Sequence, residues 1–204
     1  MDMGNKSKKR RSYTLLKRGL DIVLSVGLLA ALGIPMLLIW VAVRLDSRGA
    51  GIFRQVRIGR NGRPFVCYKF RTMYEYAPHS CPSSKLSEPQ EYVTPIGRIL
   101  RRTSLDELPQ LLNVLKGDMS LVGPRPLIIE EGDIHLQRRA MGVYELRPGI
   151  TGLSQVSGRN AISDELKARL DRRYLEEFGL MQDVRILSRT VGRVISGDGV
   201  DKKE

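Results

Sequence analysis

The stretch IVLSVGLLAALGIPMLLIWVAV, Ile22–Val43, contains no charged residue over 22 positions. As an α-helix it would be about 33 Å long, enough to cross a hydrocarbon core of about 30 Å. A secretory signal has an apolar part of only about 7–15 residues, and no small-x-small cleavage site follows here, so the run is expected to stay on the protein. The alternative is a core helix of a soluble protein. Uninterrupted apolar runs of about 18 residues or more point instead to a membrane.

The flanks decide how the run would sit. Lys6, Lys8, Lys9, Arg10, Arg11, Lys17 and Arg18 precede it, and Arg44, Arg48, Arg54, Arg57, Arg60 and Arg63 follow it. Basic flanks belong on the cytoplasmic side, so a simple crossing would misplace one of them. A segment that enters and leaves on the same face removes the conflict. Pro35, helped by Gly33, lies near the middle of the run and could support the bend. The expectation is therefore a re-entrant membrane helix broken near Pro35, with an ordinary kinked transmembrane helix as the alternative. Trp40 would suit the membrane interface.

The 204 residues hold 34 Lys and Arg against 22 Asp and Glu, a net charge of +12. Of these, 13 basic and only 3 acidic residues lie in residues 1–63, so the basic excess surrounds the apolar run. That placement argues for a membrane surface and against nucleic acid. Cys67 and Cys81 are too few for a disulfide scaffold, and with only His79 and His135 beside them a zinc site is not expected. Chemistry must come from carboxylates, basic groups and backbone.

The division expected is a basic tail over 1–15, the re-entrant helix over 16–48, a cytoplasmic catalytic domain over 49–198 and a short tail over 199–204. The fold class is α+β and mostly helical, with a small β-hairpin and amphipathic interfacial helices. Asn61-Gly62 marks the hairpin turn. Residues 75–95, with four prolines, read as a loop. Residues 96–117 read as two short helices separated near Pro109, with Gly117 as the stop. Arg147 opens a Gly-rich turn segment. Ser163 caps a helix ending near Gly179, and a last helix over 181–196 carries Arg185, Arg189 and Arg193 on one stripe.

The chemistry concentrates in RRTSLDELP, Arg101–Pro109. Ser104 and Glu107 match a capping box, so a well-capped helix start would account for the segment. The same geometry suits phosphate, because a helix start presents free N–H groups beside two arginines. Neighbouring residues on a helix point about 100° apart, so Asp106 and Glu107 cannot serve the same atom. One carboxylate would attack phosphorus while the other binds a metal.

KFRTM (Lys69–Met73), TSLDELPQLLNVLKGDMSLVGPRP (Thr103–Pro126) and RPGITGLSQVSGRNAIS (Arg147–Ser163) resemble the bacterial sugar transferase family. The match is nearest its small monotopic phosphoglycosyl transferases, the PglC type, and runs from about Leu16 to Ile195. The resemblance implies transfer of a phosphosugar from a UDP-sugar to polyprenol phosphate, giving UMP and a polyprenol-diphosphate sugar. It further implies a ping-pong mechanism through an aspartyl phosphosugar. Asp106 would be the nucleophile and Glu107 its Mg²⁺-associated partner. Lys69, Arg102, Arg125 and Arg147 would bind substrate. The implied location is the bacterial inner membrane, with the catalytic domain on the cytoplasmic face. The nearest members carry Ser before the re-entrant Pro, where this chain has Ile34. A non-enzymatic basic membrane adaptor and a nucleotide-sugar hydrolase are the rival readings. Asp118, Asp171 and Asp183 have no assigned role.

Overall fold

The computed structural model describes residues 3–78, 90–158 and 162–196. His79, Cys81, the middle of the proline-rich loop, Arg159–Ala161 and the C-terminal tail lie outside the described residues.

The apolar run belongs to one long helix, α1 (Met3–Asp46). Its described side chains from Ser12 to Asp46 include a window of mean hydropathy 2.6, of which only 6% is buried. A core helix of a soluble protein would be mostly covered, so this exposed apolar surface fits a membrane-associated helix. Helical geometry continues through Gly33 and Pro35 with no intervening loop. Proline removes one hydrogen bond and bends a helix without having to end it. One narrow stripe of α1 is covered, by Lys17, Asp21 and Ser25 early and by Met36, Ile39 and Val43 late, at spacings of three or four.

Both flanks of the uncharged run in α1 are tied to the same domain. At the N-terminal side, Arg18 donates to the carbonyls of Val114 (2.6 Å) and Leu115 (2.9 Å). Asp21 accepts from Ser120 Oγ (2.8 Å) and the Leu121 amide (3.1 Å). At the C-terminal side, Arg71 donates to the carbonyls of Val43, Ser47 and Arg48. It thereby satisfies acceptors that a helix end leaves open.

Strands β1 (Ile52–Ile58) and β2 (Pro64–Phe70) pair antiparallel, with Ile52 opposite Phe70 and Ile58 opposite Pro64. The hairpin loop is longer than a two-residue turn, because a 3₁₀ turn at Arg60–Gly62 fills it. Asn61 and Gly62 take positive φ there, as the Asn-Gly pair predicts. Helix α2 (Pro95–Thr103) starts at a Thr94 cap, and α3 (Gln110–Lys116) ends at Gly117 with φ of 92°. Then follow β3 (Ser120–Val122), α4 (Asp133–Ala140), β4 (Gly149–Thr151), α5 (Leu153–Ser157), α6 (Asp164–Glu176) and α7 (Leu180–Ser196). Ser163 accepts from the Leu166 amide to cap α6, as expected.

The short parallel pair β3–β4 was not foreseen. It joins two of the sequence motifs through backbone alone. A Cβ on Gly149 would lie 2.1 Å from the Gly123 nitrogen, and one on Gly152 would lie 2.0 Å from the Gly123 oxygen. Glycine is therefore required where GPRP meets RPGITG.

Two apolar clusters matter for the site. Val122, Leu146, Leu153, Tyr174, Leu175 and Ile186 form part of the main core between β3 and the last helices. Val43, Phe70 and Leu100 form a second, against which Met36, Ile39, Leu105 and Leu108 pack. This second cluster fastens α1 to the segment that bears Asp106.

Candidate active site

Ser104 ends α2 in the left-handed conformation (φ 58°, ψ 16°), and Leu105–Glu107 form a 3₁₀ turn leading toward α3. The expected capping box is not formed, since the Ser104 side chain makes no cap hydrogen bond and Glu107 turns toward β2. A non-glycine residue in the left-handed region is held there against a cost of about 1–2 kcal/mol. The reversal swings two consecutive carboxylates toward one strand.

Lys69 on β2 meets them. Its Nζ is 2.6 Å from Glu107 Oε1 and 3.8 Å from Asp106 Oδ2. Arg125 Nη1 lies 4.0 Å from Glu107 Oε1. Asp106 is 9% exposed and accepts no hydrogen bond among the described residues. Burial pushes its carboxyl above the usual carboxylate range. Lys69 and the more distant Arg101 and Arg125 oppose that rise, and Glu107 adds to it. The result is a buried, poorly solvated carboxylate facing cations, suited to attack on an electrophile that brings its own negative charge.

Arg125 is aimed by its backbone. Arg138 donates to the Arg125 carbonyl at 2.7 Å, and Arg57 donates to the Pro126 carbonyl at 2.8 Å. Arg57 is itself steadied by Gln55 (3.0 Å), and Arg138 pairs with buried Asp171, which also accepts from Ser154 (2.8 Å). Two arginines thus grip successive carbonyls of Pro124-Arg125-Pro126. Arg57 and Arg138 were missed in the sequence, because both act on backbone far along the chain and no spacing signals that.

Of the site residues expected from the sequence, Lys69, Asp106, Glu107 and Arg125 come together. Arg102 lies on the exposed side of α2. The neighbouring Arg101 is the one whose charge reaches Asp106, with its Nε on Thr72 Oγ1 at 2.9 Å. One step along a helix turns a side chain by about 100°, which separates the two roles. Arg147 is not brought to the dyad either. Its Nε donates to the Gly117 carbonyl at 2.9 Å, and its charged neighbours are Arg60, Arg18 and Asp21. Pro35 remains on the exposed surface of α1.

His135, Asp183 and Asp118 lie away from the dyad, each with partners of its own. His135 is engaged by the Tyr144 hydroxyl and the Ile128 carbonyl. Asp183 is taken by Lys17, Tyr13 and Tyr174, and Asp118 sits by the Asn113 amide. Cys67 is buried on β2, where burial raises its thiol pKa.

No group of three or more His, Cys, Asp or Glu side chains converges among the described residues, so a metal cage built wholly from protein is not formed there. The dyad still fits Mg²⁺ in its usual form, one or two carboxylates completed by substrate phosphate oxygens and water. Asp106 has free acceptor capacity, whereas Glu107 already holds Lys69.

The profile of the bacterial sugar transferase family matches residues 12–197. A sugar transferase of Bacillus subtilis, EpsL, is 41% identical over 92% of this chain and 91% of its own length. The undecaprenyl-phosphate galactose phosphotransferase of Salmonella typhimurium is 40% identical over 93% of this chain but 42% of its own, so this chain spans less than half of that relative. The UDP-glucose:undecaprenyl-phosphate glucose-1-phosphate transferase of Caulobacter vibrioides is 41% identical over 93% of this chain and 73% of its own length. With the match running through α1, the dyad turn and the paired glycine motifs alike, the chain belongs to the bacterial sugar transferase family.

Proposed function

We propose that the protein transfers a sugar phosphate from a UDP-sugar to polyprenol phosphate at the membrane surface. The observation that carries this reading is the pair of consecutive carboxylates, Asp106 and Glu107, set under Lys69 and Arg125 on a turn packed against the apolar helix. Phosphoryl transfer asks mainly for positioning and charge neutralisation, and this cluster supplies both. The names of the Salmonella and Caulobacter relatives support a polyprenol phosphate acceptor.

In the mechanism, a carboxylate oxygen of Asp106 bonds to the sugar-linked phosphorus, and the bond from that phosphorus to the bridging oxygen breaks. UMP leaves with that electron pair. A phosphate oxygen of the lipid then attacks the same phosphorus and releases Asp106. Lys69 and Arg125 hold the phosphate oxygens in place through both steps. Glu107 would hold Mg²⁺ together with substrate phosphate oxygens, and the ion would neutralise charge on the diphosphate. Reaction in two halves lets a water-soluble donor and a membrane-held acceptor use one site in turn.

The topology proposed is re-entrant, with both flanks and the catalytic domain on the cytoplasmic face of the bacterial inner membrane. It is supported by the attachment of both flanks of the uncharged run to one polar domain. A straight span would set those flanks on opposite sides of about 30 Å of hydrocarbon, where such a domain could not reach both.

The test is UMP release by the detergent-purified protein with Mg²⁺ and polyprenol phosphate across a panel of UDP-sugars, beside Asp106→Asn. Multiple-turnover release that requires lipid, metal and Asp106 is expected, with at most one equivalent of UMP when lipid is left out. Sustained turnover without lipid would replace the transferase by a hydrolase. Unchanged release from Asp106→Asn would remove the nucleophile.

A further inference from the structure

A second cluster of cations lies apart from the dyad, under the N-terminal part of α1. A cavity of about 230 Å³ is lined by four cations, Lys17, Arg18, Arg60 and Arg147, and two carboxylates, Asp21 and Glu145, among others. It shares no residue with the Lys69, Asp106, Glu107 and Arg125 cluster. Its three guanidinium groups are anchored to backbone carbonyls: Arg18 to Val114 and Leu115, Arg60 to Glu145 (2.9 Å) and Arg147 to Gly117 (2.9 Å). A carbonyl orients a guanidinium without cancelling its charge. Lys17 is paired with Asp183, and the Asp21 carboxylate is engaged by Ser120 and Leu121. Burial first, and then the charges of Arg60 and Arg18, hold the Arg147 guanidinium below its usual pKa, and Asp21 opposes the shift.

We propose that this cavity binds a phosphate ester, and that the head group of an anionic membrane phospholipid is its source. Position favours the lipid over a soluble anion. On α1 the lining residues Lys17, Arg18 and Asp21 are the last charges before the uncharged run begins at Ile22, so the cavity sits at the level where head groups meet hydrocarbon. Exposed Leu20 and Leu24, each one turn from Lys17 or Asp21 on α1, offer a track for an acyl chain. Size points the same way, since whole-ligand pockets run to about 300–1,000 Å³ and this one suits a head group better than a nucleotide sugar. The inference stands apart from the reaction proposed above, and a bound lipid here would brace α1 against β3 and the hairpin tip.

The test is native mass spectrometry of the full chain in detergent. It is titrated with dihexanoyl-phosphatidylglycerol, with dihexanoyl-phosphatidylcholine and with inorganic phosphate. Preferential binding of phosphatidylglycerol is expected, weakened about tenfold in Arg60→Gln and in Arg147→Gln, the scale of one charge-assisted hydrogen bond. It should be unchanged when Lys8, Lys9, Arg10 and Arg11 are all replaced by Gln. Arg60 is exposed on the hairpin loop, so its variant tests the cavity even if Arg147→Gln fails to fold. Inorganic phosphate that binds the wild type as well as phosphatidylglycerol, with the same loss in both variants, would keep the phosphate site and overturn the lipid source. A preference that survives in Arg60→Gln and disappears with the tail variant would overturn the cavity site itself.

Discussion

Lys69 Nζ stands closer to Glu107 than to Asp106, 2.6 Å against 3.8 Å, so one cation orients the first carboxylate and tunes the second. The carboxylate left without a hydrogen bond is the one assigned the attack. Removing the cation should therefore act on Asp106 chiefly through charge. Lys69 lowers the Asp106 pKa against the effect of burial, so Lys69→Met should raise it. An attacking Asp106 must be ionised, and the acid limb of the pH–rate profile should move to higher pH. The rate on the plateau should fall about 10²-fold or more from lost charge stabilisation. Initial UMP release measured from pH 5 to 8 checks both.

Asp106→Asn should abolish turnover and stabilise the fold. Because the folded-state pKa of Asp106 is raised, ionising it disfavours the native state at neutral pH. The amide removes that burden, and a gain of about 1 kcal/mol is expected, roughly 2–4 °C in Tm. The advantage should shrink as pH falls through the raised pKa toward the usual carboxylate value, since wild-type Asp106 is then neutral too. Thermal melts of both proteins across that range give the comparison.

Arg138 should matter twice. Arg138→Met leaves Asp171 as an unpaired charge in the core and should cost about 3–5 kcal/mol. Adding Asp171→Leu should restore a good part of it, by 1 kcal/mol or more. The double variant still lacks the grip on the Arg125 carbonyl, so UMP release should stay low when stability has recovered. Recovery of both together would reduce Arg138 to a packing role.

The re-entrant topology predicts same-side labelling. Single cysteines placed at Lys8 and at Arg63, in a background without Cys67 and Cys81, should react with a membrane-impermeant maleimide from one face of sealed vesicles. Labelling from opposite faces would convert α1 into a true span.

Elements with strong local signals were legible in the chain. The apolar length gave α1, Asn61-Gly62 gave the hairpin, and Ser163 gave the start of α6, because each signal lies within a few residues of what it determines. The three-residue strands β3 and β4 were invisible, since their pairing rests on glycines 26 residues apart meeting backbone to backbone. Ser104 and Glu107 spelled a capping box that Lys69, 38 residues upstream, overrides with a closer ion pair. Arg101 and Arg102 could not be told apart until the phase of α2 was known. Arg147 was expected at the site only because its motif is part of the family resemblance, while the β3–β4 contact turns it toward Arg18 and Asp21 of α1.

The cluster of Val43, Phe70 and Leu100 has Leu105 packed against it, one residue before Asp106. The helix with the exposed apolar surface and the turn that aims the proposed nucleophile thus share one set of side chains. In the re-entrant topology α1 rests in one face of the bilayer, so its depth and tilt there, and not the full thickness, would reach the carboxylate as a change of angle. Turnover should therefore follow how tightly the lipids of that face pack around α1, making this a catalyst whose geometry is completed by its membrane.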